Sequence, residues 1–144
     1  MFGPRQDANS QYSGVISRFI SELLSNGKPV IYGDGEQSRD FTYVDNVVEA
    51  NVRAAETDKG IGQVINIANG QRVTLNELLN ELKTLTGKTD VQAEYREPRA
   101  GDVRHSLADI SRAREFLNFE PRVGFREGLN LTIDWWRLSR FAKA

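Results

Sequence analysis

Residues 29 to 45 read PVIYGDGEQSRDFTYVD, and how this stretch folds decides the architecture. Pro29-Val30-Ile31-Tyr32 is a short β-prone run, and Phe41-Thr42-Tyr43-Val44 is a second one. Gly33-Asp34-Gly35 between them is turn chemistry. Together they predict a hairpin-like pair of strands. Asp45 then reads as the N-cap of a helix carrying Val47, Val48, Val52 and Ala55. Arg39 stands one residue before Asp40, after a flexible turn and ahead of a run that should be buried. A cation in that position calls for a partner.

Upstream, Val15, Ile16, Phe19, Ile20, Leu23 and Leu24 recur at helical spacing, with Asn26-Gly27 as the stop. Downstream, Gly60 and Gly62 close the region after the second helix. Gln63 to Ala68 (QVINIA) predicts a strand and Asn69-Gly70 a turn. Thr74-Leu75-Asn76-Glu77 is a capping box ahead of Leu78, Leu79, Leu82 and Leu85, and Gly87 ends that helix. Val91 to Tyr95 predicts another strand. Residues 96 to 108 are polar and irregular. Asp109 caps a short helix with Ile110, Ala113, Phe116 and Leu117. Pro121 and Gly124 interrupt the chain before a last helix, from about Arg126 to Arg140, with Leu129, Ile133 and Trp136 on one face. This order predicts a mixed α/β (α+β-like) layer protein, with residues 1–144 as a single domain.

The 144 residues are 39% apolar and 27% charged, enough for one core. A net charge of −1 supplies no field that would recruit nucleic acid or an anionic membrane. No apolar run is long enough to span a bilayer. The start, MFGPRQDANSQ, has no apolar signal core, and there is no cysteine, which together predict a cytoplasmic protein. His105 is the one histidine, so a multi-histidine metal site is excluded.

Several chemistries find no support. The twelve glycines never form G-x-G-x-x-G, so no nicotinamide cofactor site is written here. Leu85 to Thr89 (LTGKT) resembles the end of a phosphate loop, but it follows a helix and reads as a helix C-cap. His105 lacks a nucleophile-elbow context. The irregular segment REPRAGDVRHSLA is more informative, because Arg96, Arg99 and Arg104 share it with Gly101 and Asp102. A guanidinium matches phosphate or carboxylate oxygens two at a time. The same loop, taken alone, also reads as a solvated charged surface.

Three segments in order resemble the extended short-chain dehydrogenase/reductases that act on nucleotide sugars, the NAD-dependent epimerase/dehydratase family. They are Phe2-Gly3-Pro4-Arg5-Gln6, Tyr32-Gly33-Asp34-Gly35 with Ser38-Arg39-Asp40-Phe41, and Arg99-Ala100-Gly101-Asp102. Tyr43-Val44-Asp45, Val64 to Ala68, and Glu127-Gly128-Leu129 before Trp135 support them. Tyr12-Ser13-Gly14-Val15-Ile16 and Gly101 to Ser106 are similar to the UDP-N-acetylglucosamine 4-epimerases in particular. The resemblance covers the whole chain, yet no Tyr-x-x-x-Lys is present: Tyr12, Tyr32, Tyr43 and Tyr95 are followed four residues on by Ile16, Glu36, Val47 and Arg99.

The resemblance implies the C-terminal, substrate-binding part of such an enzyme, without the Rossmann domain that holds NAD. It implies that Arg39 and Arg99 contact the diphosphate of a UDP-sugar and that Asp102 accepts from ribose hydroxyls. It sets Tyr32 against uracil and the Val30 backbone at the base edge. Gln6, Gly14, Val15 and Ser106 match positions near the sugar and its N-acetyl group. Tyr32, Val30 and Val15 also read as core residues, and Gly14 as a helix-start glycine. The chain is expected to be inactive alone. Two roles stay open: a portion that works with a Rossmann partner, or a non-catalytic self-assembling or protein-binding module. In the family the 45–57 helix and the 63–68 strand pack on the Rossmann domain, so self-association is expected through Val47, Val48, Val52, Val64, Ile65 and Ile67.

Overall fold

A computed structural model describes residues 1–7 and 14–141, the last two of them as backbone only. Helix α1 spans Val15–Leu24 and buries Ile16, Phe19, Ile20 and Leu23. Asn26, in the left-handed conformation (φ 57°), turns the chain away after it. Strands β1 (Val30–Tyr32) and β2 (Ser38–Asp40) follow.

The two strands are not a hairpin. β1 pairs in parallel with β4 (Glu94–Arg96), Ile31 opposite Tyr95. β2 pairs antiparallel with β3 (Arg72–Thr74), Arg39 opposite Val73. The intervening turn explains the difference. Gly33 and Gly35 both have positive φ (89° and 79°), a conformation that costs glycine nothing. The Gln37 side-chain Nε2 donates to the Tyr32 carbonyl at 2.5 Å, at the end of β1 that faces the turn. Asn76 donates to the Asp34 carbonyl and to Glu36, fixing the turn on the next helix. β2 also starts earlier than the β-prone residues suggest. Phe41 and Thr42 lie beyond it, and Tyr43 makes only an isolated bridge to Phe2.

Helix α2 (Val44–Ala55) has Tyr43 at its N-cap, not Asp45. The Val44 amide is taken by the Phe2 carbonyl at 2.9 Å, so Asp45 falls in the first turn, where a carboxylate complements the helix dipole. Residues 63–68 form no strand. Ile65 and Ile67 turn inward and Val64 is 80% exposed, the alternation of a strand, but no described strand lies beside it. Strand β3 had no distinct sequence signal, because it ends on the capping residue of the next helix.

Helix α3 (Leu75–Thr86) carries the expected capping box. Glu77 N donates to Thr74 Oγ1 (3.1 Å) and Thr74 N to Glu77 Oε2 (2.7 Å). Gly87 caps it in the left-handed conformation, which settles LTGKT as a helix end. β4 lies toward the C-terminal side of the expected 91–95 run; pairing begins where Glu94 N reaches the Pro29 carbonyl. Helix α4 (Ser111–Leu117) has Ile110 in the N-cap position, one residue after Asp109. Asp109 Oδ1 still accepts from both Ser111 N and Ser111 Oγ. Helix α5 spans Phe125–Phe141, with Leu129 and Ile133 fully buried.

The main core joins α1, β1, α3 and α5 around Phe19, Ile20, Ile31, Leu78, Leu82 and Leu129. Phe2 meets Tyr43 edge-on (5.6 Å), and Phe41 stacks on Phe125 (5.7 Å). A second cluster holds Ala50, Ala68, Ile110, Ala113, Leu117 and Phe119. Asn46, 2% exposed, ties α2 to the approach of α5. Its Nδ2 donates to the Val123 carbonyl, and its Oδ1 accepts from the Arg122 and Val123 amides. The fold is mixed α/β, with two small two-stranded sheets and five helices among the described residues.

Candidate functional site

One cavity of about 640 Å³ opens between α1, the ends of β1 and β2, and the loop after β4. Gln6, Gly14, Val15, Val30 and Tyr32 line it. Arg39, Arg99 and Asp102 line it as well. Residues from separate parts of the chain thus converge on one space. Ser106 does not line it. Its amide donates to the Ser38 carbonyl at 3.0 Å, and it serves to hold the loop. Tyr12 and Ser13 lie outside the described residues.

Arg39 sits in the middle of β2, and its neighbours account for the cation there. Its Nη1 donates to the Ser38 carbonyl (2.9 Å) and reaches the Arg104 carbonyl (3.4 Å). Its Nη2 donates to Asp102 Oδ1 at 2.5 Å. The guanidinium of Arg99 lies over the Tyr32 ring, 3.8 Å from its centroid, in cation–π contact. Arg99, and after it Arg96, hold the Tyr32 phenol below its ordinary pKa.

The loop is strapped to β2 and the glycine turn. Ser38 N donates to the Arg104 carbonyl (2.8 Å), and Ser38 Oγ bonds His105 Nδ1 (2.9 Å). Arg104 pairs with Asp34 at 2.8 Å, and that hydrogen bond lowers the Asp34 pKa. His105 therefore anchors the loop from outside the cavity. Gly101 takes φ 80° with open space around it, which lets the chain turn between Arg99 and Asp102.

At the start of α1 the N-cap residue, Gly14, supplies no side-chain hydrogen bond. A helix N-terminus carries partial positive charge that suits an anion. Gln6 Oε1 and Gln37 Oε1 are both buried without a hydrogen-bond partner among the described residues. Sequence reasoning missed Gln37, along with Phe41, Arg18 and Glu22, which also line the cavity. Gln37 stands two residues before Arg39, and that alternation was the available signal. Arg18 and Glu22 lie on the polar side of α1, where charge alone does not distinguish a cavity from solvent.

Residues 1–68 match the model of the NAD dependent epimerase/dehydratase family. A UDP-glucose 4-epimerase from Mycolicibacterium smegmatis is 38% identical over 95% of this chain and 43% of its own length. The chain belongs to the NAD dependent epimerase/dehydratase family.

Two solved relatives carry the likeness into three dimensions. A Thermotoga maritima UDP-glucose 4-epimerase, solved with UDP-glucose, superimposes with a TM-score of 0.91 at 42% identity. A UDP-N-acetylglucosamine 4-epimerase from Methanobrevibacter ruminantium, in complex with UDP-N-acetylmuramic acid, gives 0.88 at 45%. Each match covers 96% of this chain and 44% of the other. The chain therefore spans less than half the length of these epimerases and corresponds to their C-terminal part. The family's NAD does not fit the residues described. No strand among them runs through a glycine-rich turn into a helix: β1 leads through its glycines into β2, and β3 enters α3 at Thr74 without one. No described helix is long and apolar enough to cross a membrane.

Proposed function

We propose that this chain is the UDP-sugar-binding portion of a nucleotide-sugar 4-epimerase, of UDP-N-acetylglucosamine or UDP-glucose type. It holds the substrate and leaves hydride chemistry to a Rossmann partner carrying NAD and the Tyr-x-x-x-Lys pair. The supporting observation is the convergence of Arg39, Arg99 and the start of α1 on one cavity beside Tyr32. Two guanidinium forks and a helix N-terminus suit a diphosphate. Tyr32 offers an aromatic face to a pyrimidine once Arg99 turns toward phosphate. Asp102, an acceptor when ionised, suits ribose hydroxyls. Gln6, Gly14 and Val15 stand where the sugar would extend. Ser106 acts through the loop instead of touching the ligand.

Isothermal titration with UDP tests this. Lacking half of a substrate cleft, the chain should bind nearer millimolar than micromolar, on the order of −4 to −6 kcal/mol. Arg39→Ala and Arg99→Ala should each weaken binding at least about tenfold. Equal affinity in all three proteins would mean that the arginines serve folding only. The chain alone should show no epimerase turnover with NAD and UDP-N-acetylglucosamine.

A second reading, a self-associating module, has one observation in its favour. Val48, Val52, Ile61 and Val64 are 55%, 47%, 74% and 80% exposed on α2 and the segment after it. Ile65 and Ile67 are partly covered by the second cluster, so less apolar surface is bare than the sequence suggested. Light scattering decides: a concentration-dependent dimer supports this reading, and a 16.2 kDa monomer at high concentration removes it.

A further inference from the structure

We propose that Tyr32 is a site of covalent modification, an activated phenol that aryl sulfonyl fluorides convert to a sulfonate ester ahead of Tyr43 and Tyr95. This reactivity belongs to the side chain itself and does not depend on the UDP-sugar reading of the cavity. Tyr32 ends β1 and lines two spaces, the cavity described above and a neighbouring one of about 470 Å³. The Arg99 guanidinium lies 3.8 Å from its ring centroid. Arg96 is paired with it across the β1–β4 sheet. Cations this close favour the ionised phenol, and Arg99, then Arg96, hold its pKa below the ordinary value. The acids around it are taken up elsewhere: Asp34 by Arg104, Asp102 by Arg39 and Glu94 by Arg96. Glu97 lines the second space, and the two cations outweigh it.

The other two described tyrosines lack this environment. Tyr43 is buried, and burial, then the charges of Asp45 and Glu127, raise its pKa. Tyr95 is well exposed, but its hydroxyl donates to Asn76 Oδ1 at 2.9 Å, a bond that only the neutral phenol makes. The chain has no cysteine, so no thiolate competes for the reagent. In the reaction the Tyr32 hydroxyl proton passes to solvent and the phenolate oxygen attacks sulfur. The S–O bond forms as the S–F bond breaks, fluoride leaves, and nothing is oxidised or reduced. A lowered pKa weakens the nucleophile, but by less than it raises the ionised fraction, as holds for thiols, whose Brønsted slope is about 0.4–0.5.

The test treats the chain with benzenesulfonyl fluoride and follows each tyrosine by peptide mass spectrometry over a range of pH. Tyr32 should label at least about fivefold faster than Tyr95 at about pH 8, where an ordinary phenol is only about 1% ionised. Tyr43 should stay unlabelled while the chain is folded. The midpoint of the Tyr32 rate against pH should lie below that of N-acetyltyrosine amide. Arg99→Ala should move that midpoint up and slow Tyr32 at least about threefold, with Tyr95 unchanged as the internal standard. Arg99→Lys keeps the charge and should fall between the wild type and Arg99→Ala. Tyr95 labelled as fast as Tyr32 in the wild-type chain, or a midpoint unmoved by Arg99→Ala, overturns the proposal. The comparison within the wild-type chain needs no variant, so it decides even where a substitution disturbs the fold. UDP binding enters neither readout, so the site reading stands or falls separately.

Discussion

Replacing Asn46 with alanine removes the tie that sets the entry angle of α5. Asn46 makes three hydrogen bonds to backbone groups of Arg122 and Val123, at 2.8, 3.0 and 3.0 Å. Alanine leaves all three groups without their partner. A buried group left unsatisfied costs about 1–3 kcal/mol. The Arg122 amide belongs to an exposed residue and can recruit water, whereas Val123 is half-buried. The loss should therefore total about 2–4 kcal/mol, close to two buried orphans. For a chain of this size each kcal/mol shifts Tm by roughly 3 °C, so the melt should fall by about 6–12 °C. The effect should reach the cavity, because Phe125 at the start of α5 packs on Phe2 and Phe41, which line it. Circular dichroism melts and urea titration measure this. Asn51→Ala is the control: its side chain bonds the Val47 carbonyl on an exposed face, and its loss should change stability by less than about 0.5 kcal/mol. A loss below 1 kcal/mol in Asn46→Ala would show that water replaces the side chain, and the tie would then not be what orients α5.

Thr74→Ala breaks the reciprocal cap of α3 and should cost about 1 kcal/mol in urea unfolding, with Glu77→Ala costing no more than a similar amount. Arg99→Ala removes the chief cause of the lowered Tyr32 pKa. The Tyr32 phenol should then ionise at higher pH in an ultraviolet titration, and an unchanged curve would place Arg99 away from the ring in solution. Arg104 holds Asp34 below the usual carboxylate range. The stability this pair contributes is present above the unfolded pKa and is lost as pH falls through the lower folded value. Arg104→Ala should therefore weaken the steepness of acid unfolding.

The parts of the fold legible in the sequence were those set by local chemistry. The α1 periodicity, the Thr74–Glu77 box and the Gly87 cap each act within a few residues, and each appears as read. Strand pairing was not legible, because it depends on residues far apart. Val30–Tyr32 looked like half of a hairpin, yet its partner is 94–96, and the turn that diverts β2 is held by Gln37 and Asn76 through contacts no periodicity reveals. Gln63 to Ala68 has the composition and the alternation of a strand, but a strand needs a neighbour. At the cavity, the family motifs brought out Arg39, Arg99 and Asp102. That Asp102 pairs with Arg39 follows from loop geometry and could not be read from spacing. Ser106 lies close to Asp102 in sequence, yet it does not line the cavity, and its amide is bound to Ser38.

The most direct measurement is a crystal structure of this chain grown with UDP. The diphosphate should lie between Arg39, Arg99 and the first turn of α1, with Arg99 moved off the Tyr32 ring and the pyrimidine in its place. Asp102 should face the ribose instead of Arg39. UDP bound elsewhere, or in the cavity with its phosphates away from both arginines, would contradict the proposed site.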